Sequence, residues 1–175
     1  QFPVNRRLLH EVFKAQYAQN VSAAQLTNIE SLLSEETFPI CPAHQPNRFS
    51  GSLYFVYKVL HVIRIADSLN QSMPGLHFVP VYYIGSEDND LEELGQVKVD
   101  GVKMVWQTRQ EGAVGRMKVD KALLQLIAQL EGQLGVQTHG SELISVLREC
   151  YSEGRSIADA TKALVDHLFA KYGLL

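Results

Sequence analysis

The feature that most constrains the fold is the stretch "SLYFVYKVLHVIRIADSL", Ser52 to Leu69, whose polar positions Lys58, His61, Arg64 and Ser68 recur at spacings of three and four. That is helical periodicity with only a narrow wet stripe, as expected of a helix buried on most sides. Short apolar runs flank it: Phe38 to Cys41 before, and "LHFVPVYYIG", Leu76 to Gly85, after. Both have the length and β-favouring content of buried strands. Strand, buried helix, strand is a βαβ unit, so the predicted class is α/β with parallel strands. Pro80 lacks a ladder donor and predicts an edge position or a bulge. With 175 residues, 46% of them hydrophobic, the chain can bury one sizeable core, and a single domain is expected.

Around residues 38–95, which hold this unit and its loops, the other segments read simply. Residues 1–37 are helical: "NRRLLHEVFKAQYAQN" carries an apolar face, and Asn20 or Ser22 could cap a second helix through Leu33. Residues 96–117 form a β-hairpin and a loop, since "QVKVDGVKMVWQT" alternates around Asp100-Gly101, a strong tight-turn signal. Those strands are expected to decorate or extend the sheet. Residues 118–175 are helical, over Lys118–Gln133, Glu142–Tyr151 and Ile157–Lys171, with Asp120, Ser141 and Ser156 as capping candidates. The chain starts at Gln1 and stops at "KYGLL", where Gly173 would end a helix and Leu174 and Leu175 would begin a buried strand. A truncated fragment of a longer protein is expected.

A net charge of −3 provides no broad basic field, which argues against nucleic acid or an anionic membrane as partner. No apolar run reaches the roughly 18 residues of a membrane span, and the N-terminus lacks a signal peptide's apolar core. A soluble, cytoplasmic protein is expected. Cys41 and Cys150 show no zinc-site spacing and read as reduced structural thiols, and no metal is expected.

In open α/β sheets, ligands bind beyond the C-terminal ends of strands. Two polar clusters fall there. In "HQPNRFSGS", Gly51 permits close backbone approach and the helix start favours an anion. Gln45 and Asn47 add amides, Arg48 a charge, and His44 a proton donor or acceptor. The same residues would equally make an ordinary loop with Ser50 as cap. In "GSEDNDLEEL", Glu87, Asp88 and Asp90 could hold an ammonium or sugar hydroxyls, whereas Glu92 and Glu93 read as a solvated first helical turn. Lys58 could reach the first loop, and Gly112, Gly115 and Arg116 of "GAVGRM" could close over an anion. His10, His77, His139 and His167 form no constellation, and Tyr54, Tyr57, Tyr82, Tyr83 and Trp106 read as core or rim packing.

Taken in order, "HQPNRFSGSLYFVYK", "VPVYYIGSEDND" with "LEELG", and "GAVGRM" resemble the bacillithiol biosynthesis cysteine-adding enzymes, the BshC family, from about Phe38 to Leu175. The resemblance implies a Rossmann-like, three-layer core with an added hairpin and a helical C-terminal third, inside a longer chain with a C-terminal coiled coil that forms homodimers. It implies ligation of L-cysteine to glucosaminyl-malate, with ATP as a candidate activator of the carboxyl. Carried onto this sequence, His44, Asp88 and Asp90 would be catalytic, and Gln45, Asn47, Gly51, Tyr54, Lys58, Glu87 and Arg116 would bind substrate. Many relatives read "GQQPG" where this chain has Ala43 to Asn47, and "EDHD" where it has Glu87 to Asp90, so Asn89 removes a ring nitrogen. Two rival expectations remain open: a nucleotidyltransferase-like enzyme making an adenylate on another small molecule, and a non-catalytic structural fragment that packs against missing segments.

Overall fold

The computed structural model describes residues 4–46, 53–88, 90–99 and 101–175. Its contacts divide into two compact units, one of Gln1–Ala43, Val56–Tyr83 and Leu168–Leu175, the other of His44–Phe55 and Ile84–His167.

In the first unit, α1 (Arg6–Gln16) is capped by the Asn5 side chain, which accepts the Leu8 N–H. Between the two candidate caps for α2 (Ala23–Ser31), the structure selects Ser22, in a reciprocal capping box with Gln25. Arg6 ties the helices to the sheet by donating to the carbonyls of Leu32, Glu35 and Thr37. The strands β1 (Thr37–Ile40) and β3 (His77–Pro80) pair in parallel with Phe38 opposite Phe78, as the βαβ pattern predicts. Tyr17, Ile29, Leu32, Val79 and Leu175 form a buried cluster around them.

Two expectations are corrected here. The long helix α3 (Leu53–Ser72) buries Phe55, Val59, Val62, Ile63 and Ala66, a single face, and leaves Leu53, Tyr54, Tyr57 and Leu60 exposed. The apolar letters outside the polar stripe misled, because an isolated aromatic or Leu on a surface costs little. The run after α3 is also not one strand; it breaks after Pro80 and resumes as β4 (Tyr83–Ile84). Pro80 does lie on an edge strand, since β3 has β1 alone as its ladder partner among the described residues. Val81 donates to Ile40 on one side of β3, while Leu175 donates to Pro80 and Tyr82 donates to Leu175 on the other. Farther along that side, where no strand reaches Phe78, the Asn70 side chain stands in, accepting the Phe78 N–H at 2.7 Å and donating to its carbonyl at 3.0 Å.

The second unit carries α4 (Leu91–Leu94), the hairpin β5 (Gln96–Val99) and β6 (Val102–Val105), and the helices α5 (Lys121–Leu134) and α6 (Gly140–Cys150). The hairpin pairs antiparallel with Val99 opposite Val102, and its strands form a ladder of their own that does not extend the parallel sheet. Asp120 caps α5 as expected, with Lys118 and Val119 lying outside the helix. Ser141 is inside α6, whose N-cap is His139 without a side-chain bond. Most of α7 (Ile157–Phe169) lies in this unit, and Ser156 receives the Asp159 N–H at its start. A short ladder, β2 (Ala43–His44) with β4, completes the strands. No described helix is long and apolar enough to cross a membrane.

Candidate functional site

His44 ends β2 and is half-buried. Its ring meets Phe55 edge-on, with centroids 5.4 Å apart and planes at 77°, and lies tilted 6.4 Å from Tyr54. Phe55 is buried and fixes the ring from below, while Tyr54 is exposed. Nδ1 lies 3.1 Å from the carbonyl oxygen of Gln45. A carbonyl only accepts, so Nδ1 carries a proton, which in the Nδ1–H tautomer leaves the lone pair on Nε2. That arrangement suits a general base. Gln45 is half-buried, and Asn47 and Gly51 lie outside the described residues.

The acidic block meets this strand through its backbone. Gly85 donates to the His44 carbonyl at 2.9 Å, and Ser86 donates to Ile84 at 2.8 Å in a tight turn. Asp88 is half-buried and its Oδ1 accepts the Asp90 N–H at 3.2 Å, an Asx turn. The Asp90 carbonyl then accepts the Leu94 N–H and opens α4. Asp90 therefore serves as a helix start, and Glu87, Asp90 and Glu92 are exposed.

The third block closes on the second. Val114–Arg116 is a 3-10 turn in which the buried Val114 donates to the Asp88 carbonyl at 2.7 Å. Gly115 packs so closely that a Cβ there would lie 2.6 Å from the Ser86 carbonyl oxygen and 2.7 Å from its Cα. Only a glycine permits that approach. Within the second unit the fold thus brings together His44, Tyr54, the Gly85–Asp88 turn and the turn that carries Arg116. In the first unit, Lys58 Nζ donates to the Ala43 carbonyl at 2.8 Å, so its ammonium does reach the end of the first strand run.

Sequence reasoning did not find the bracket behind this loop. The Gln110 side chain accepts the Lys118 N–H at 2.7 Å and donates to the Lys118 carbonyl at 2.8 Å. Buried Trp106 donates from Nε1 to Asp120 Oδ1 at 2.7 Å. Burial, the largest single influence on Asp120, pushes its carboxyl up, but bonds from Leu123 N–H, Trp106, Thr108 and Gln110 outweigh it and hold the carboxyl below its ordinary range. Met117 to Val119 pair with Gly154 to Ile157, fixing the far end of the loop. Asp120 carried a signal as a helix cap; Gln110 carried none, because its partner is set by the return of the chain. Among the described residues, no three of His, Cys, Asp and Glu come together as a metal-binding group.

Comparison with known proteins bears on the same blocks. The family model described as "Bacillithiol biosynthesis BshC, N-terminal Rossmann-like domain" matches residues 1–175. A Flavobacterium johnsoniae protein provisionally named cysteine ligase BshC is 38% identical over 98% of this chain and 32% of its own length. A Flavobacterium psychrophilum relative of the same name is 36% identical over 97% of this chain and 32% of its own, and one from Cytophaga hutchinsonii is 34% identical over 99% and 31%. The chain thus spans about a third of the length of the curated relatives it matches.

Proposed function

The chain belongs to the BshC family of bacillithiol biosynthesis, as its N-terminal Rossmann-like domain, and from that premise we propose that it carries part of the active site of a cysteine ligase. The reaction joins the carboxyl of L-cysteine to the amino group of glucosaminyl-malate. A new C–N bond forms as the group that activates the carboxyl leaves with its electron pair, and the amine loses a proton. ATP is the candidate source of that activation. His44 takes the amine proton on Nε2, the position left as acceptor when Nδ1 faces the Gln45 carbonyl. Asp88 and Asp90 hold the amine and sugar hydroxyls, with Glu87, Gln45 and Tyr54 as further polar contacts. The Arg116 guanidinium, carried on the turn that closes on Asp88, favours an anionic group.

The observation that carries this reading is the convergence of three separate sequence blocks through main-chain bonds, Gly85 to His44 and Val114 to Asp88. In full-length enzyme, His44→Gln is expected to lower the rate of cysteine ligation by about 100-fold, the low end for loss of a proton-transfer group, and Asp88→Asn by about tenfold, the worth of one charged hydrogen bond. Steady-state assays with both substrates would decide it, and unchanged rates in either variant would sink the assignment of that residue.

A further inference from the structure

Beside the site lies a cleft of about 460 Å³ lined by Gln110, Glu111, Gly112, Ala113, Arg116 and Met117. Its volume is in the range of small-molecule sites, about 300–1,000 Å³. Two of its groups carry opposite charges, Glu111 and Arg116. Both side chains are exposed, and neither charged group has an ion-pair or hydrogen-bond partner among the described residues, including each other. They line one cavity yet stand apart. Met117, which is buried, supplies an apolar wall, and the Gln110 amide is already committed to Lys118. The loop is held at both ends, by that amide and by the pairing of Met117 to Val119, so the two charges are presented from a braced frame.

We infer that this cleft binds a free α-amino acid as its zwitterion, the carboxylate on Arg116, the ammonium on Glu111, and a small soft side chain against Met117. A separated cation and anion on one cavity match the two charges of such a molecule, and a guanidinium pairs well with a carboxylate. A thiol-bearing side chain suits the polarizable thioether. This inference rests on the ligase reading, and within it assigns L-cysteine to the cleft and leaves the crevice at His44 and Asp88 to the amine substrate.

The test uses full-length protein. Arg116→Gln and Glu111→Gln are each expected to raise KM for L-cysteine by about tenfold, the worth of one charged hydrogen bond, with KM for glucosaminyl-malate within about twofold of wild type. Arg116→Lys should recover part of the loss. Unchanged KM for cysteine in both variants, or an equal rise for both substrates, overturns the inference while leaving the ligase reading intact. Should the wild type show no ligation, that reading falls, and calorimetry with L-2-aminobutyrate, a redox-inert isostere of cysteine, decides the cleft alone. Binding weakened about tenfold by each charge-removing variant upholds it; no binding to wild type refutes it.

Discussion

At the scale of single residues, the least replaceable position is Gly115. An added Cβ would meet backbone of Ser86 at 2.6 Å, and backbone cannot swing aside as a flexible side chain would. Gly115→Ala is therefore expected to destabilise the protein by about 1–3 kcal/mol, the usual cost of overpacking. Urea denaturation would measure it, and a stability equal to wild type would show that the turn can shift. Asp120 makes a different prediction. Its folded carboxyl is held below the unfolded value, so its contribution to stability is present above the unfolded pKa of about 3.9 and is lost as pH falls through the lower folded value. Asp120→Asn keeps a good capping side chain but cannot titrate. Wild type should lose more stability than the variant between pH 7 and pH 3; equal losses in urea midpoints would contradict this. Neither residue's partner could be read from sequence, since Ser86 and Trp106 approach only after the chain has turned back. The capping role of Asp120 was legible because a cap is local.

At the scale of elements, α2 shows how a helix with modest apolar content earns its place. Gln25 and Asn28 are buried polar residues on its inner face, and they donate to the carbonyls of Leu174 and Gly173. Asn28 also accepts from His77 Nε2 at 2.9 Å, so that histidine is a structural member of the sheet edge, in keeping with its reading as a core or surface residue. Asn28→Ala would strand a buried carbonyl and a ring N–H together, and a loss of about 2 kcal/mol or more is expected in denaturant titration. A loss under about 0.5 kcal/mol, typical of surface changes, would mean that water replaces the amide. The helices and the hairpin were legible because their periodicity and the Asp100-Gly101 turn are local signals. The break between Pro80 and Tyr83 was not, since where an apolar run leaves one ladder and joins another depends on which strand lies opposite. The same limit applies to α3, where letters alone could not tell a covering sheet from solvent.

At the scale of the whole molecule, the order of the three blocks along the chain was legible, and so was the class of fold into which they are built. What was not legible is that the blocks meet by main chain. Gly85 bonds to His44, Val114 bonds to Asp88, and Gly115 lies on Ser86, while Glu87, Asp90, Glu111 and Arg116 are exposed. A seam closed by peptide groups and one glycine is indifferent to which side chains border it. The chemistry along its rim can thus be exchanged one residue at a time without rebuilding the loops, so a library varying those four positions should keep folding while its preferences among small molecules drift.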